Sequence, residues 1–214
     1  MKITNQEINF KNADEFVDNI RKQNVKIIFF GETHGILPEE EIIELLIKHT
    51  NPEILLYELL EEEKLFDKTS QEKFLLKPDE LDFSIISKYK ELKPIVNLAK
   101  KYSKPIIGCD IKNMCRQNKD FLKNYDEQEE LKIMKEREEK QREIVETTLK
   151  DNNLILVIVG AYHLRKESAL LDKLNFNNTI IMPEINGRQL EEFDPEMLQK
   201  KYVLKYKYQV NTYD

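Results

Sequence analysis

Two segments of this chain share one pattern, an apolar run that ends in glycine and is followed three residues later by histidine. In VKIIFFGETHG, Gly31 precedes His34, and in LILVIVGAYHL, Gly160 precedes His163. Apolar runs rich in β-branched residues are typical of strands buried on both faces of a sheet. The chain has only three histidines and five glycines in 214 residues, so the repeat marks two strand ends as the place to look for a site.

Helical segments alternate with further short strands, which predicts an α/β fold with a mainly parallel sheet flanked by helices. A glutamate closes the strand after each histidine, so the chain divides into two pseudo-repeated strand–GxxH–helix–strand halves, at about 25–103 and 104–214. No linker rich in Pro, Gly or Ser separates them, and this length suits a single domain spanning 1–214. The predicted strands are 25–30, 54–57, 105–109, 154–159, 179–182 and an edge strand at 202–210.

The predicted helices include a long charged helix that precedes the second half. They cover 13–22, 38–49, 83–102, 116–151 and 166–174, with a pair of short helices over 61–82. Pro94 predicts a kink or a break within the third of these. Residues 135–141 are almost wholly charged, so we expect them to project into solvent or to bridge to something else, with a homo-oligomer as one possibility.

The charge and hydropathy of the chain exclude several classes of protein. A net charge of −6 and a pI of about 5.4 do not provide the basic face that nucleic acids or anionic membranes require. No apolar run approaches the ~18 residues of a membrane span, and the first twelve residues have no signal-peptide core. Cys109 and Cys115 match no recognisable disulfide or metal framework. We therefore expect a cytoplasmic protein.

Charged and polar residues follow directly after the apolar runs. Because the carboxyl ends of parallel strands meet at one edge of the sheet, we expect these residues to lie close together. Such a set could hold a divalent metal or act in general acid–base catalysis. The set is Glu32, His34, Glu58, Asp110, His163 and Glu184. Asp110 would also suit a helix cap. Tyr57 and Tyr162 flank the set and would either donate hydrogen bonds or pack.

His34 also lies just before the predicted helix that starts at Pro38. The positive end of that helix dipole favours a neutral imidazole, which is the form that a metal ligand or a general base needs.

Several of these segments resemble the erythromycin-esterase/ChaN/TraB–Tiki superfamily. They are IIFFGETHG, then LLYELLEE, then the segment that ends PIIGCD, and QREIVETTL before VIVGAYHL, and together they span about residues 25–164. The resemblance implies an α/β fold with a crevice that holds the two histidines and the glutamates of the first half. It also implies ester cleavage or metal-dependent proteolysis in some branches and haem binding in a ChaN-like branch.

Carried over by motif, the resemblance implies a site of His34, Glu32, Glu58 and His163, with Arg142 from the helix before the second GxxH. Arg142-Glu143 departs from the usual arginine–aspartate or arginine–asparagine pair of that group. The hypothesis is therefore a hydrolase in which histidine and glutamate activate water, directly or through a divalent metal on His34, Glu58 and His163. Arg142 would orient a carboxylate or stabilise an oxyanion. The alternative is a non-catalytic haem- or metal-binding protein of the ChaN-like type.

Overall fold

The computed structural model describes residues 6–8, 13–32, 38–77, 83–112, 127–165, 167–185 and 203–208. Within these ranges the chain forms one sheet of eight strands. The strands are β1 (Gln6–Ile8), β2 (Ile27–Glu32), β3 (Ile54–Tyr57), β4 (Lys64–Leu65), β5 (Ile106–Gly108), β6 (Ile155–Gly160), β7 (Asn178–Ile185) and β8 (Val203–Tyr208). The described helices are α1 (Ala13–Lys22), α2 (Pro38–Thr50), α3 (Lys68–Leu75), α4 (Phe83–Lys101) and α5 (Glu127–Leu149).

The strand order is β1-β8-β7-β2-β6-β3-β5-β4, and the sheet is parallel except at one edge. Among the described strands only β4 runs antiparallel to its neighbour, β5. Parallel neighbours need a crossover connection, and the alternation of strands and helices in the sequence supplies it. The predicted α/β class with a mainly parallel sheet is therefore confirmed.

The two strands that precede the GxxH motifs lie side by side at the centre of the sheet, with Glu32 opposite Gly160. From β2 the chain crosses over β6 to reach β3, and from β6 it crosses over β2 to reach β7. The chain therefore leaves the central pair in opposite directions. This is the topological switch point at which open α/β sheets form a crevice beyond the carboxyl ends of their strands.

Apolar side chains cover both faces of the sheet, as alternation along a fully buried strand requires. In β2, Ile28 and Phe30 belong to one core with residues of α1, α2, α3 and α4. Ile27 and Phe29 belong to a second core with residues of α5 and with Leu164 and Leu170. Helices on both faces explain why the runs before Gly31 and Gly160 are apolar without a break.

The second crossover differs from the predicted helix over 166–174. The described residues there form a short 3-10 helix, Ala161–Leu164, followed by turns. Side chains of α5 bind the backbone of this segment: Arg142 donates to the carbonyl oxygens of Ala169 and Asp172, and the carboxylate of Glu138 accepts from the Ala169 N–H. Backbone bonds such as those from the Leu171 and Asp172 N–H groups to the Ser168 carbonyl oxygen close the turns, and the contacts with α5 fasten them, so the two halves of the pseudo-repeat differ here.

Three other sequence predictions need correction. The 61–82 segment contains a strand, β4, and only one described helix, α3, whose start is capped by Asp67. Helix α4 continues through Pro94 as a single helix, so of the predicted kink or break only the break is wrong. The last strand, β8, is not at the edge of the sheet, because β1 pairs with its outer side. Residues 116–126 of the predicted long helix lie outside the described residues.

No helix in the described part of the chain is long and apolar enough to cross a membrane.

Candidate active site

Three of the predicted site residues meet at the carboxyl ends of neighbouring strands. Glu58 follows β3, Asp110 follows β5 by two residues, and His163 lies on the 3-10 helix that follows β6. The order β6-β3-β5 places these three ends side by side, and all three residues are buried. A fourth, Glu32, ends β2 on the other side of β6 and is also buried.

Glu58 is held by groups from three different elements. Its Oε1 accepts from Nη2 of Arg137 on α5 at 2.6 Å and lies 3.3 Å from Nε2 of His163. Its Oε2 accepts from the backbone N–H of Gly160, at the end of β6, at 2.6 Å. Burial alone would raise the pKa of Glu58, but His163, Arg137 and the Gly160 N–H outweigh it and hold the pKa far below its usual value. Glu58 is therefore a fixed negative charge with 4% of its surface exposed.

Arg137 joins Glu58 to Asp110. Its Nε lies 3.2 and 3.1 Å from the two carboxylate oxygens of Asp110, and its Nη2 donates to the same carboxylate. The Ile111 N–H donates to Asp110 at 2.7 Å. Burial raises the pKa of Asp110, while Arg137 acts to lower it. The guanidinium is thus shared by two buried carboxylates from adjacent strand ends.

His163 lies between two carboxylates. Its Nδ1 is 3.2 Å from Oε1 of Glu138, and its Nε2 faces Glu58. Burial alone would lower the pKa of His163, but Glu58 and Glu138 raise it to about 9. With 3% of its surface exposed, His163 is a buried imidazolium at neutral pH, and its two ring N–H groups both point at negative charge.

Glu138 is fully buried and has donors on each of its oxygens. Oε1 accepts from Arg165 and faces His163, while Oε2 accepts from the Ala169 N–H at 2.9 Å and lies 3.3 Å from Nη2 of Arg165. Burial alone would raise the pKa of Glu138, but these donors lower it. Arg165 in turn stacks 4.4 Å from the ring of Tyr162, so the chain of contacts runs from the buried carboxylates to an exposed aromatic ring.

Glu32 and Tyr57 form a separate pair beside this cluster. The Tyr57 hydroxyl donates to Oε1 of Glu32 at 3.2 Å. The two residues come from β2 and β3, which are both neighbours of β6, so the bond reaches across the central strand. His34 follows Glu32 by two positions and lies outside the described residues.

A close backbone contact sets the position of Glu58 relative to Asp110. A Cβ on Gly108 would lie 2.0 Å from the carbonyl oxygen of Glu61, so only glycine fits there. The N–H of Gly108 donates to the backbone carbonyl oxygen of Glu63 at 2.7 Å, and the N–H of Asp110 donates to that of Glu61 at 3.2 Å. Glu61 itself has a φ of 54°. The turn that follows Glu58 is therefore fastened directly to the end of β5.

Two further predicted residues, Arg142 and Tyr162, make their contacts outside the cluster of carboxylates. Arg142 binds the carbonyl groups of Ala169 and Asp172 and anchors that segment; the arginine that contacts the site carboxylates is Arg137. Tyr162 is 45% exposed and packs under Arg165. Glu184 lies in β7, where its backbone is opposite Lys207 of β8, and its side chain is outside the described part.

Sequence reasoning missed Arg137, Glu138 and Arg165. The stretch 135–141 is charged, but its expected projection into solvent is wrong for Glu138 and Gln141, which are fully buried. A signal was present: Glu138, Gln141 and Val145 are spaced three and four residues apart, as on one face of a helix. The arginine–glutamate pair also occurs twice in α5, at 137–138 and at 142–143, and the first pair is the one that reaches the site.

The donor set of the cluster does not fit a metal ion as it is arranged. The expected ligands were His34, Glu58 and His163. Both ring nitrogens of His163 face carboxylates, and both oxygens of Glu58 accept hydrogen bonds. No group of three or more metal-binding side chains with suitable geometry occurs in the described ranges. A divalent metal, and haem as the alternative cofactor, stay predictions that involve His34.

Comparisons with known proteins add information about the fold. No protein-family model matches the sequence, and no curated protein matches it. Among solved structures the chain is similar to the type III effector HopBA1, with a TM-score of 0.53 and 14% sequence identity, over 96% of this chain and 97% of that one. At this identity the similarity concerns the fold alone.

Proposed function

We propose that this protein is a hydrolase that cleaves an ester or a peptide bond, with its active site at the carboxyl edge of β2, β6 and β3. The observation that carries the proposal is the buried pair of Glu58 and His163, held at the switch point of the sheet by Arg137 and Glu138. The resemblance of the GETHG and GAYHL segments to the erythromycin-esterase/ChaN/TraB–Tiki superfamily supports the same reaction class.

The energetics of the cluster support function rather than stability as the reason for its presence. Removing each ion from water costs several kcal/mol, and well-packed apolar residues often match or exceed the stability of a buried ion pair. Here three carboxylates, two guanidinium groups and one imidazolium share one buried region. Ionisable groups with strongly shifted pKa values in such a position favour a functional site.

In the proposed reaction each group has a distinct role. His163 carries a proton on Nε2 at neutral pH, so it serves as the acid that protonates the leaving group. Arg137 is a fixed positive charge beside the strand ends, suited to stabilise a developing oxyanion. Glu32 is oriented by Tyr57, and with His34 of the same motif it would accept the proton of the attacking water.

The test is hydrolysis of ester and peptide panels by the full chain and by three histidine variants. We expect His34→Ala and His163→Asn to lose about 10²-fold or more in kcat/KM, the usual contribution of a general acid or base. His49→Ala is the matched control, because His49 is in the last turn of α2 and we expect normal activity. If no substrate is turned over, or if turnover survives both site variants, the proposal is wrong.

The same preparation tests the cofactor predictions. Elemental analysis and assays with and without a chelator show whether a divalent metal is needed. Titration with haem, followed by the Soret band in wild type, His34→Ala and His163→Asn, tests the non-catalytic alternative. Turnover that is independent of chelator, with no Soret shift, would leave the hydrolase without either cofactor.

We also propose that the protein acts in the cytoplasm on a small molecule or a peptide. Its acidic net charge gives no reason for binding to nucleic acid or to anionic lipid. Cell fractionation and light scattering of the purified chain test the location and the predicted homo-oligomer.

A further inference from the structure

We propose that Glu138 is the positioning residue of His163, holding the imidazole through Nδ1 so that Nε2 is the nitrogen that exchanges a proton at the site. This inference rests on the proposed hydrolase. It names a residue that has no counterpart among the residues expected from the GxxH motifs, since Glu138 lies in the middle of α5.

Within the described part of the chain, the groups that contact the Glu138 carboxylate are all donors. Arg165 reaches both oxygens, the Ala169 N–H reaches one, and His163 presents Nδ1 to the other. A buried carboxylate with this many donors stays ionised, and an imidazole N–H facing it has one favourable orientation. An orienting third group of this kind is what a histidine acid or base requires to keep its tautomer.

The orientation of the ring decides which nitrogen faces the strand ends. With Nδ1 held by α5, Nε2 is directed toward Glu58 at 3.3 Å, beside Arg137 and the end of β6. The two ring contacts are similar in length, so position distinguishes them: Nδ1 faces a carboxylate that also accepts from Arg165 and the Ala169 N–H, whereas Nε2 lies at the strand ends, where its proton is the one available for transfer. Glu138 is fully buried and saturated with donors, so it acts through His163.

The discriminating variant is Glu138→Gln, which keeps the size of the side chain and removes its charge. Whichever way the amide turns, its NH2 group would face donors only, so the ring of His163 loses its charged anchor. We expect kcat to fall by about 10²-fold or more with a KM close to that of wild type. Glu138→Asp keeps the charge and should recover part of the loss. Glu143→Gln, an exposed glutamate on the same helix, should retain full activity.

A second measurement is independent of turnover. With three histidines in the chain, the imidazole NMR signals can be assigned by single substitutions. In wild type we expect a slowly exchanging Nδ1 proton on His163. It should be lost in Glu138→Gln but kept in Glu143→Gln and in Arg142→Ala, which loosens the 169–172 segment without touching His163.

The outcomes separate this inference from the proposed function. An inactive wild-type protein that shows the protected Nδ1 proton would refute the hydrolase and leave the contact intact. An active protein in which Glu138→Gln keeps its kcat, or keeps the Nδ1 signal, would overturn the positioning role alone. Equal loss of the signal in Arg142→Ala would reduce Glu138 to a structural anchor.

Discussion

Two arginine–glutamate pairs in one helix differ in function because of helical phase. Arg137 and Arg142 are five residues apart, which turns the second side chain roughly 140° away from the first in a regular helix. Arg137 therefore faces the strand ends, while Arg142 faces the backbone of the second crossover. An arginine followed by a glutamate forms both pairs, so the phase relative to the sheet, and not the residue type, identifies the arginine that contacts the carboxylates.

This difference predicts unequal effects on stability. Arg137→Met would leave Glu58 and Asp110 buried without their guanidinium, and breaking a buried pair in this way costs about 3–5 kcal/mol. Arg142→Met would lose two bonds to backbone carbonyls, at about 1–3 kcal/mol. Urea denaturation of the two variants measures both free energies of unfolding. Equal losses, or a larger loss for Arg142→Met, would contradict the bridging role of Arg137.

At the level of secondary structure, the strands and their ends could be predicted and the inner face of α5 could not. β2, β3 and β6 are continuous apolar runs, and the polar residue that follows each run marks the end of the strand, so Glu58 and His163 were identifiable. α5 is charged along most of its length, and its buried face carries Glu138 and Gln141 in the middle of the helix, with the apolar Val145 and Leu149 only toward its end. Periodicity of hydrophobicity has little to detect there.

The contact between β5 and the turn after β3 gives a test of a single element. Gly108→Ala would place a Cβ 2.0 Å from the Glu61 carbonyl oxygen, so the turn that carries Glu58 must shift away from Asp110. We expect a loss of stability of at least the ~1–3 kcal/mol typical of overpacking, together with a loss of hydrolysis. Thermal unfolding and the ester assay measure the two effects.

The neighbouring substitution Cys109→Ala provides the control for Gly108→Ala. Cys109 is buried, but its Cβ is already accommodated, so the loss should be limited to a small cavity of about 1 kcal/mol. Activity should be retained, because the thiol makes none of the contacts that hold Glu58. A Gly108→Ala protein as stable and active as Cys109→Ala would show that the turn tolerates the added methyl group.

For the whole molecule, the order of strands is what brings the two GxxH segments together. The sequence predicts that strands alternate with helices, but it does not predict that β6 inserts between β2 and β3. Nor does it predict that β1, whose residues carry no strand pattern, covers the outer side of β8. The pairing of these strands depends on which face of the sheet each helix covers, and the helices take their faces only as the two cores form. The convergence of Glu58, Asp110 and His163 follows from that order.

The buried Glu58–His163 pair makes the stability of the whole chain depend on pH in a defined direction. The pKa of His163 rises from 6.5 to about 9 on folding. Its contribution to the free energy of unfolding is therefore complete below pH 6.5 and is lost as the pH rises through 9. The pKa of Glu58 falls below its usual 4.5, so its contribution is present above that pH and is lost as the pH falls. The pair therefore stabilises the fold most between pH 4.5 and 6.5.

Chemical denaturation across the pH range measures this profile. Between pH 6.5 and 9 we expect wild type to lose on the order of 3 kcal/mol of unfolding free energy. His163→Asn should be less stable at pH 6 and should lack that decline, whereas His49→Asn should keep it. Because other groups also titrate near pH 9, the difference between wild type and His163→Asn is the informative quantity. If that difference is constant from pH 5 to 9, His163 does not carry the extra proton in the folded state, and the acid role proposed for its Nε2 fails with it.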